Sequence, residues 1–520
     1  MPTNKNKFTL ILILVIAVLL RFWQINTLPS LNPDEAALGY NAYSLLKTGK
    51  DEHGISWPLH FKSFSDYKPG GYVYLALPFI KIFGLTPLAV RLPNLILSVL
   101  TIFVLHRLVL LLTKNYSLSN FTAFVLAVNP WHIHFSRGAW ESSVAVFFIV
   151  LGIYFFYKFL EKPKSKYVFF FPLSFIASIY VYHSARIIAP LIVLTLFIIY
   201  SKKILHYLSI KLIISIILAL LLAIPVLYSL LNGGGATRLS GVGLTADTGP
   251  ISRSKELLNH HSQVNLYQKV IHNQRVLYFL SFSQKYFSHF DLNFLFVDGD
   301  AVPRSGSPEM GQLYLIELPF LLYGIYSFIR SIKIDKKIKY FLIAYLLISP
   351  LASSMTFQAP SALRSLSLVI PISILTAFGL YKTSHYLSTY LVLFLYLVSC
   401  LYFIDAYFTH SPQRYSFAWN RGFSEIVPLI EKEKNNYENI YFTDKYDQPY
   451  ILYLFFSRYD PVKIQAQINP TPPDKFGFST VRQIDNIHFY IPENIPQNSL
   501  VIDADDFEKS GQSFKIYTKL

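Results

Sequence analysis

Residues 8–40 read FTLILILVIAVLLRFWQINTLPSLNPDEAALGY. An unbroken apolar run follows Lys5 and Lys7, closes on Arg21-Phe22-Trp23, and gives way to an acidic pair, Asp34-Glu35. No small-x-small cleavage site follows the run, so it reads as an uncleaved membrane anchor rather than a secretory signal. The rest of the chain agrees. Of 520 residues, 53% are hydrophobic and 15% charged, against roughly a quarter charged in a soluble domain. The composition is that of an α-helical polytopic membrane protein.

Crossing a bilayer takes about 17–25 apolar residues. Candidate spans follow at 88–112, 117–132, 141–160, 167–183, 187–201, 210–231, 312–330, 339–356, 366–382 and 386–405, making about eleven with the anchor. The run 72–83 is too short to span and is expected to lie along the interface. Every second loop is basic, with Arg107 and Lys114, then Lys158 to Lys166, Lys202 to Lys211, Arg330 to Lys339, and Lys382. The positive-inside rule then places the N-terminus in the cytoplasm and puts loop 24–87, loop 232–311 and everything after 405 outside. Residues 1–405 form the membrane domain. Residues 406–520, with helix-like 420–434, strand-like 440–443 and 500–502 and proline-rich turns at 470–473, form a small extracytoplasmic α/β domain.

The net charge of +16 does not indicate a nucleic-acid binder, because the basic residues flank apolar runs and the tail holds about 12 basic against about 14 acidic residues. The single cysteine, Cys400, lies in an apolar run and excludes both an intrachain disulfide and a cysteine metal site.

Asn32-Pro33-Asp34-Glu35 can be read as a helix start. Asn is a good N-cap, Pro suits the first helical position, and acids complement the dipole there. The helix would run on through Leu46 and stop near Gly49. The setting suggests chemistry as well. Lys68, Arg91, Arg137, Arg186 and Arg364 all fall at outer helix ends, where the topology rule disfavours cations. A carboxylate facing cations suits a base that activates a nucleophile while the cations hold an anionic leaving group.

These residues resemble the GT-C superfamily of membrane glycosyltransferases, in particular bacterial relatives of the protein O-mannosyltransferases and the lipid A aminoarabinose transferases. The resemblance rests on Asp34-Glu35, Lys68-Pro69-Gly70-Gly71-Tyr72, Val90-Arg91-Leu92-Pro93 and Arg137 through Glu141, and covers residues 1–405. It implies a GT-C fold whose first outer loop carries two interfacial helices. It also implies a polyprenyl-phosphate-sugar donor used on the outer face, with inversion at the anomeric carbon. By carry-over, Asp34 is the base, with Glu35 as the alternative. Adjacent helical residues point about 100° apart, so the two are not expected to face one substrate equally. Lys68 meets the donor phosphate. Arg137 and Glu141, one turn apart, can pair, making Glu141 a second acid near the sugar. The family's Pro-Pro after the lysine is Pro-Gly-Gly here, which predicts a looser backbone at Lys68.

Arg186 and Arg364 open spans on the outer side. Each reads as a snorkelling side chain or as a further phosphate contact, and Arg137 joins them in the candidate phosphate-binding set. Asp298-Gly299-Asp300 and Pro303-Arg304 are turn signals, with acceptor contact or a lid as the functional reading. Gly233-Gly234-Gly235 is no P-loop and reads as a hinge. His132 and His134 have no partner at ligand spacing. No protein metal site is assigned, although the acidic pair with Glu141 offers oxygen ligands for a divalent cation, Mg or Mn.

The expected function is a membrane glycosyltransferase moving a sugar from a polyprenyl-phosphate donor to an acceptor hydroxyl on protein, lipid or polysaccharide. The alternatives are a flippase or transporter of lipid-linked sugars, which would place charges deep within spans, and a scaffold whose tail binds a partner.

Overall fold

The computed structural model describes residues 4–232, 243–261, 263–384, 386–474 and 477–519. The expected hinge at 233–235 lies outside the described residues. The anchor is α1 (Asn4–Phe22), and the first loop carries α2 (Pro33–Thr48), a hairpin of β1 (His60–Ser63) and β2 (Asp66–Pro69), and α3 (Gly71–Phe83). The membrane domain continues through α4 (Pro87–Thr113), α5 (Tyr116–Val128), α6 (Pro130–Ser136), α7 (Glu141–Glu161), α8 (Tyr167–Val181), α9 (Ala185–His206) and α10 (Ile210–Asn232). Four more helices, Glu317–Arg330, Lys336–Ile348, Val369–Thr383 and Thr389–Asp405, complete it. The two interfacial helices expected in the first loop are α2 and α3. The hairpin between them was not foreseen.

A helix stands at every apolar stretch read from the sequence, but the count of about eleven spans is not established. Among the described residues, six helices are long and apolar enough to cross a membrane. Others are shorter, and α5, α8 and Lys336–Ile348 reach only about 20 Å at 1.5 Å per residue. The reason is clearest at 117–132, read as one span. Asn129 leaves helical geometry, and Pro130 starts a new helix that Asn129 caps. The outer segment 232–311 is likewise not simply a loop, since it contains helices Gly249–Asn259, Leu266–Ile271 and Gln274–Ser288.

The loops sort by charge onto two ends. At one end, Glu35 reaches Ala139, His183 reaches Tyr67, His134 reaches Arg304, and Asp300 accepts from the Ala362 amide. The other end carries the basic loops. Lys114 and Lys158 meet Glu161 at 3.1 and 2.9 Å, and Lys337 lies over Tyr200.

The tail is the expected α/β unit. Its five-stranded sheet has the order β4-β5-β3-β6-β7, with β3 (Asn439–Phe442), β4 (Gln483–Ile484), β5 (Ile487–His488), β6 (Ser499–Ala504) and β7 (Phe514–Lys519). Strand β3 is central and parallel to both β5 and β6. Helix Pro449–Ser457 (PYILYLFFS) is apolar on all sides, as a helix buried on all sides must be. It lies between the sheet and α2. Tyr40 on α2 donates to the Tyr459 carbonyl at 2.9 Å, and Gln465 reaches Ser44, Thr48 and the Asp51 carbonyl. Helix α2 is thus held between α4 and the tail, and Gly39 is where they approach most closely. A Cβ there would lie 2.5 Å from Val90 and 2.7 Å from Phe455.

Gly39→Val should therefore force α2, α4 and the tail apart, costing about 1–3 kcal/mol. The expected result is a lower melting temperature in detergent and earlier proteolytic release of the tail. A melting temperature equal to wild type would contradict this packing.

Candidate active site

The Asn-Pro-Asp-Glu stretch does form a helix start. Asn32 accepts from the Glu35 amide at 3.0 Å, and Glu35 Oε2 accepts from the Asn32 backbone amide, a reciprocal capping box with Pro33 in the first turn. The rotation of about 100° between consecutive helical residues then separates the two acids. Glu35 points inward and is 1% exposed. Its Oε1 accepts from Arg91 Nε at 2.8 Å and the Ala139 amide at 2.7 Å, and its Oε2 accepts from Arg91 Nη2 at 2.8 Å. Arg91 spends its other donors on the Ile25 and Ser30 carbonyls. Asp34 points outward, with its side chain 46% exposed, and pairs with Lys68. Glu35 is occupied by the fold, whereas Asp34 is reachable.

Lys68 sits on β2, opposite Phe61 of β1, with its ammonium also against the Phe64 ring. Burial works against its charge, but Asp34 and then Glu141 outweigh burial and raise its pKa. The loosening expected from Pro-Gly-Gly is not what the structure shows. A Cβ on Gly70 would lie 2.8 Å from the Leu59 carbonyl oxygen, and one on Gly71 would lie 2.6 Å from that of Tyr180. The glycines let the start of α3 pack on the first loop and the end of α8.

The remaining candidates divide. Glu141, in the first turn of α7, lies within electrostatic reach of Lys68, so Asp34, Lys68 and Glu141 come together. The Arg137–Glu141 pairing is not how Arg137 uses its terminal nitrogens. Arg137 is fully buried and donates to the carbonyls of Leu20, Arg21, Trp23 and Leu28 at 2.7–3.0 Å. These are the orphan carbonyls at and beyond the end of α1. Arg137 also stacks on Phe408, 4.6 Å from the ring centre. It closes α1, and its terminal nitrogens are engaged by backbone carbonyls. Arg186 contacts His60 at 2.9 Å and His183 at 3.1 Å, and His183 in turn contacts the Tyr67 carbonyl, so Arg186 braces the hairpin that carries Lys68. Burial and then Arg186 depress the His60 pKa to about 4, leaving a neutral ring against the guanidinium. Arg364 donates to the Gln358 carbonyl and lies near Asp300.

Two residues beside the Asp34–Lys68 pair were not among the sequence candidates for chemistry. Asp447, in the loop after β3, lies 3.7 Å from Arg304 and within electrostatic reach of Asp34 and Lys68. Burial raises its pKa and Arg304 opposes this, while Asp34 pushes with burial and Lys68 against it. Arg304, read from sequence as a turn, an acceptor contact or a lid, is placed by its own carbonyl accepting from His134 at 2.9 Å. Both line a cleft of about 520 Å³ that also includes Phe417, Asn420, Tyr446, Gln448, Thr480 and Phe489. The one available signal was position, because ligands favour the carboxyl ends of parallel strands.

Glu52 was also missed. It is fully buried, bonded to Asn41 Nδ2 at 3.0 Å, with His53 at 3.9 Å. Burial pushes its pKa up to about 8, with Asn41 and Lys68 opposing and Asp51 adding. A carboxyl that holds its proton more tightly when folded loses stability as pH rises from about 4.5 to about 8. Glu52→Gln should flatten the fall of melting temperature across that window; an unchanged pH profile would contradict the assignment.

Breaking a buried ion pair costs about 3–5 kcal/mol, whereas an exposed pair is worth about 0–1 kcal/mol. Glu35→Gln and Arg91→Ala should therefore lower the melting temperature most, and Asp34→Asn less, because the Asp34 side of its pair with the buried Lys68 is half-exposed. The reverse ranking would contradict the division of roles.

The acidic pair with Glu141 does not fit a divalent cation, because Glu35 is committed to Arg91 and Asp34 to Lys68. Among the described residues, no group of three or more His, Cys, Asp or Glu side chains is placed to hold a metal ion. His132 and His134 serve Arg21 and the Arg304 carbonyl.

Residues 68–228 match the family model described as dolichyl-phosphate-mannose-protein mannosyltransferase, a segment holding Lys68, Arg91, Arg137, Glu141 and Arg186. No curated protein matches the chain by sequence. Among solved structures, ArnT from Cupriavidus metallidurans bound to undecaprenyl phosphate is 10% identical, with a TM-score of 0.52, covering 98% of this chain and 96% of that one. The archaeal oligosaccharyltransferase AglB from Archaeoglobus fulgidus, in complex with an inhibitory peptide and a dolichol-phosphate, is 13% identical with a TM-score of 0.49. That match covers 87% of this chain, which spans 64% of the archaeal enzyme. Over residues 68–228 the chain is thus similar to the mannosyltransferase family model, its fold is similar to that of ArnT, and its apolar helices are those of a multi-pass membrane protein.

Proposed function

We propose that the protein is a membrane glycosyltransferase that moves a sugar from a polyprenyl-phosphate donor to an acceptor hydroxyl. The observation that carries this is the half-exposed Asp34 carboxylate, paired with Lys68 and electrostatically coupled to Asp447 of the cleft, beside a neighbour that the fold fully engages. Under the positive-inside rule the basic end is cytoplasmic, and the site then lies on the outer face with the tail. The family segment supports sugar transfer, and the similarity to a fold solved with undecaprenyl phosphate supports a lipid-phosphate donor.

The acceptor hydroxyl stands against Asp34. Its oxygen forms a bond to the anomeric carbon as the bond from that carbon to the phosphate oxygen breaks on the opposite face, so configuration inverts. The hydroxyl proton passes to Asp34. Negative charge builds on the departing polyprenyl phosphate, where a placed cation acts most strongly. Lys68 supplies it. In the resting pair Lys68 also keeps Asp34 ionised, because a neighbouring cation favours the charged carboxylate. Arg186, behind the hairpin, and Arg364, beside the 300–304 segment, are the further phosphate contacts. Arg137 is left out because the end of α1 holds it. Glu141 keeps Lys68 charged from the sugar side.

The test is sugar release and transfer from a panel of radiolabelled polyprenyl-phosphate sugars by the purified protein in lipid. One donor is expected to react with inverted anomeric configuration. Lys68→Ala should lower kcat/KM for that donor by about 10²–10³, the scale of losing one charge-stabilising donor. Retained configuration, or a folded protein that releases sugar from no member of the panel, would overturn the reading.

A further inference from the structure

We propose that the cleft between the tail and residues 302–304 binds the acceptor, and that the acceptor is a neutral saccharide. This rests on the reading of Asp34 as the base that receives the acceptor proton.

The first observation is placement. The cleft opens at the carboxyl end of β3, whose two sheet neighbours, β5 and β6, lie on opposite sides. Its lining includes Asp447 and Arg304, and Asp447 is the tail residue electrostatically coupled to Asp34. A ligand in the cleft therefore lies next to the proposed base.

The second is chemistry. Phe417 is 52% exposed and packs on Tyr446 with ring centres 4.7 Å apart. A ring backed by another ring offers a face for the C–H side of a pyranose. Gln448 Oε1 and Thr480 Oγ1 are buried lining atoms with no protein partner among the described residues. An amide oxygen and a hydroxyl are complementary to sugar hydroxyls, which both donate and accept. Gln448 and Asn420 each hold a left-handed backbone at φ 49°, a conformation that costs a non-glycine residue energy and gathers at functional sites. Asn420 also fixes this loop through the Asp447 carbonyl at 3.2 Å.

The third is charge. The lining carries two acids, Asp444 and Asp447, and two bases, Arg304 and Lys445, with Arg304 against Asp447 and Lys445 reaching Asp503 at 3.1 Å. Its formal charge is zero and favours neither an anionic nor a cationic ligand. An extended peptide would favour a free strand edge, but the sheet's edges are β4 and β7, and neither contributes to the lining.

The test is saturation-transfer NMR on the full-length protein in detergent, without donor. The probes are the methyl glycosides of neutral hexoses and N-acetylhexosamines and their disaccharides, with a Ser/Thr-containing peptide as comparison. Saccharide signals are expected from wild type. Phe417→Ala, Gln448→Ala and Thr480→Val should each weaken binding by five-fold or more. Absence of saccharide binding, binding untouched by all three changes, or peptide binding in its place would overturn the proposal. If the cleft variants behave as expected while Asp34→Asn still transfers sugar, the base assignment fails and the saccharide cleft stands.

Discussion

Much of this protein depends on one buried ion pair, Glu35 with Arg91. Taking both charges out of water is costly, and the pair persists because each charged side-chain nitrogen and oxygen has a hydrogen-bond partner. Those bonds join the first loop, the start of α4 and the turn between α6 and α7. They also set the rotation of α2 about its axis. With Glu35 fixed inward, the next residue back must face outward, which places Asp34 opposite Lys68.

The same economy explains other outer arginines. Backbone carbonyls near a membrane cannot be left unpaired, and Arg137 and Arg21 answer that demand. Arg137 takes four carbonyls at and beyond the end of α1, and Arg21 takes those of Ala17, Leu126 and Ala127. Cations that break the topology rule are thus of two kinds. Some replace water for the backbone, and others, such as Lys68 and Arg304, meet carboxylates at the cleft. On α2 the tail completes the arrangement, covering one side of the helix with an apolar helix and bringing Asp447 to the site's edge.

The membrane class, the helix positions and the α/β tail were legible because apolar runs and cap residues are local signals. The capping box was readable from Asn32 and Glu35, and so was the fact that Asp34 and Glu35 diverge. Which of them faces inward was not, because that depends on Arg91, far along the chain. Arg137 looked like a ligand for the same reason: its partners are backbone carbonyls, which leave no trace in side-chain patterns. The break within the stretch 117–132 was not read, although Pro130 restarts the helix there. Asp447 and Arg304 become neighbours only through the docking of the tail, and Gly70-Gly71 reads as looseness until the backbone packed on it is seen.

The most direct measurement of the central claim is sugar transfer by Asp34→Asn protein, normalised to its folded fraction. A base in this position should contribute about 10²–10⁴ in rate. The account predicts a loss of that size in the protein that remains folded. A folded Asp34→Asn protein transferring sugar at the wild-type rate would contradict it and leave the acidic pair as a helix start alone.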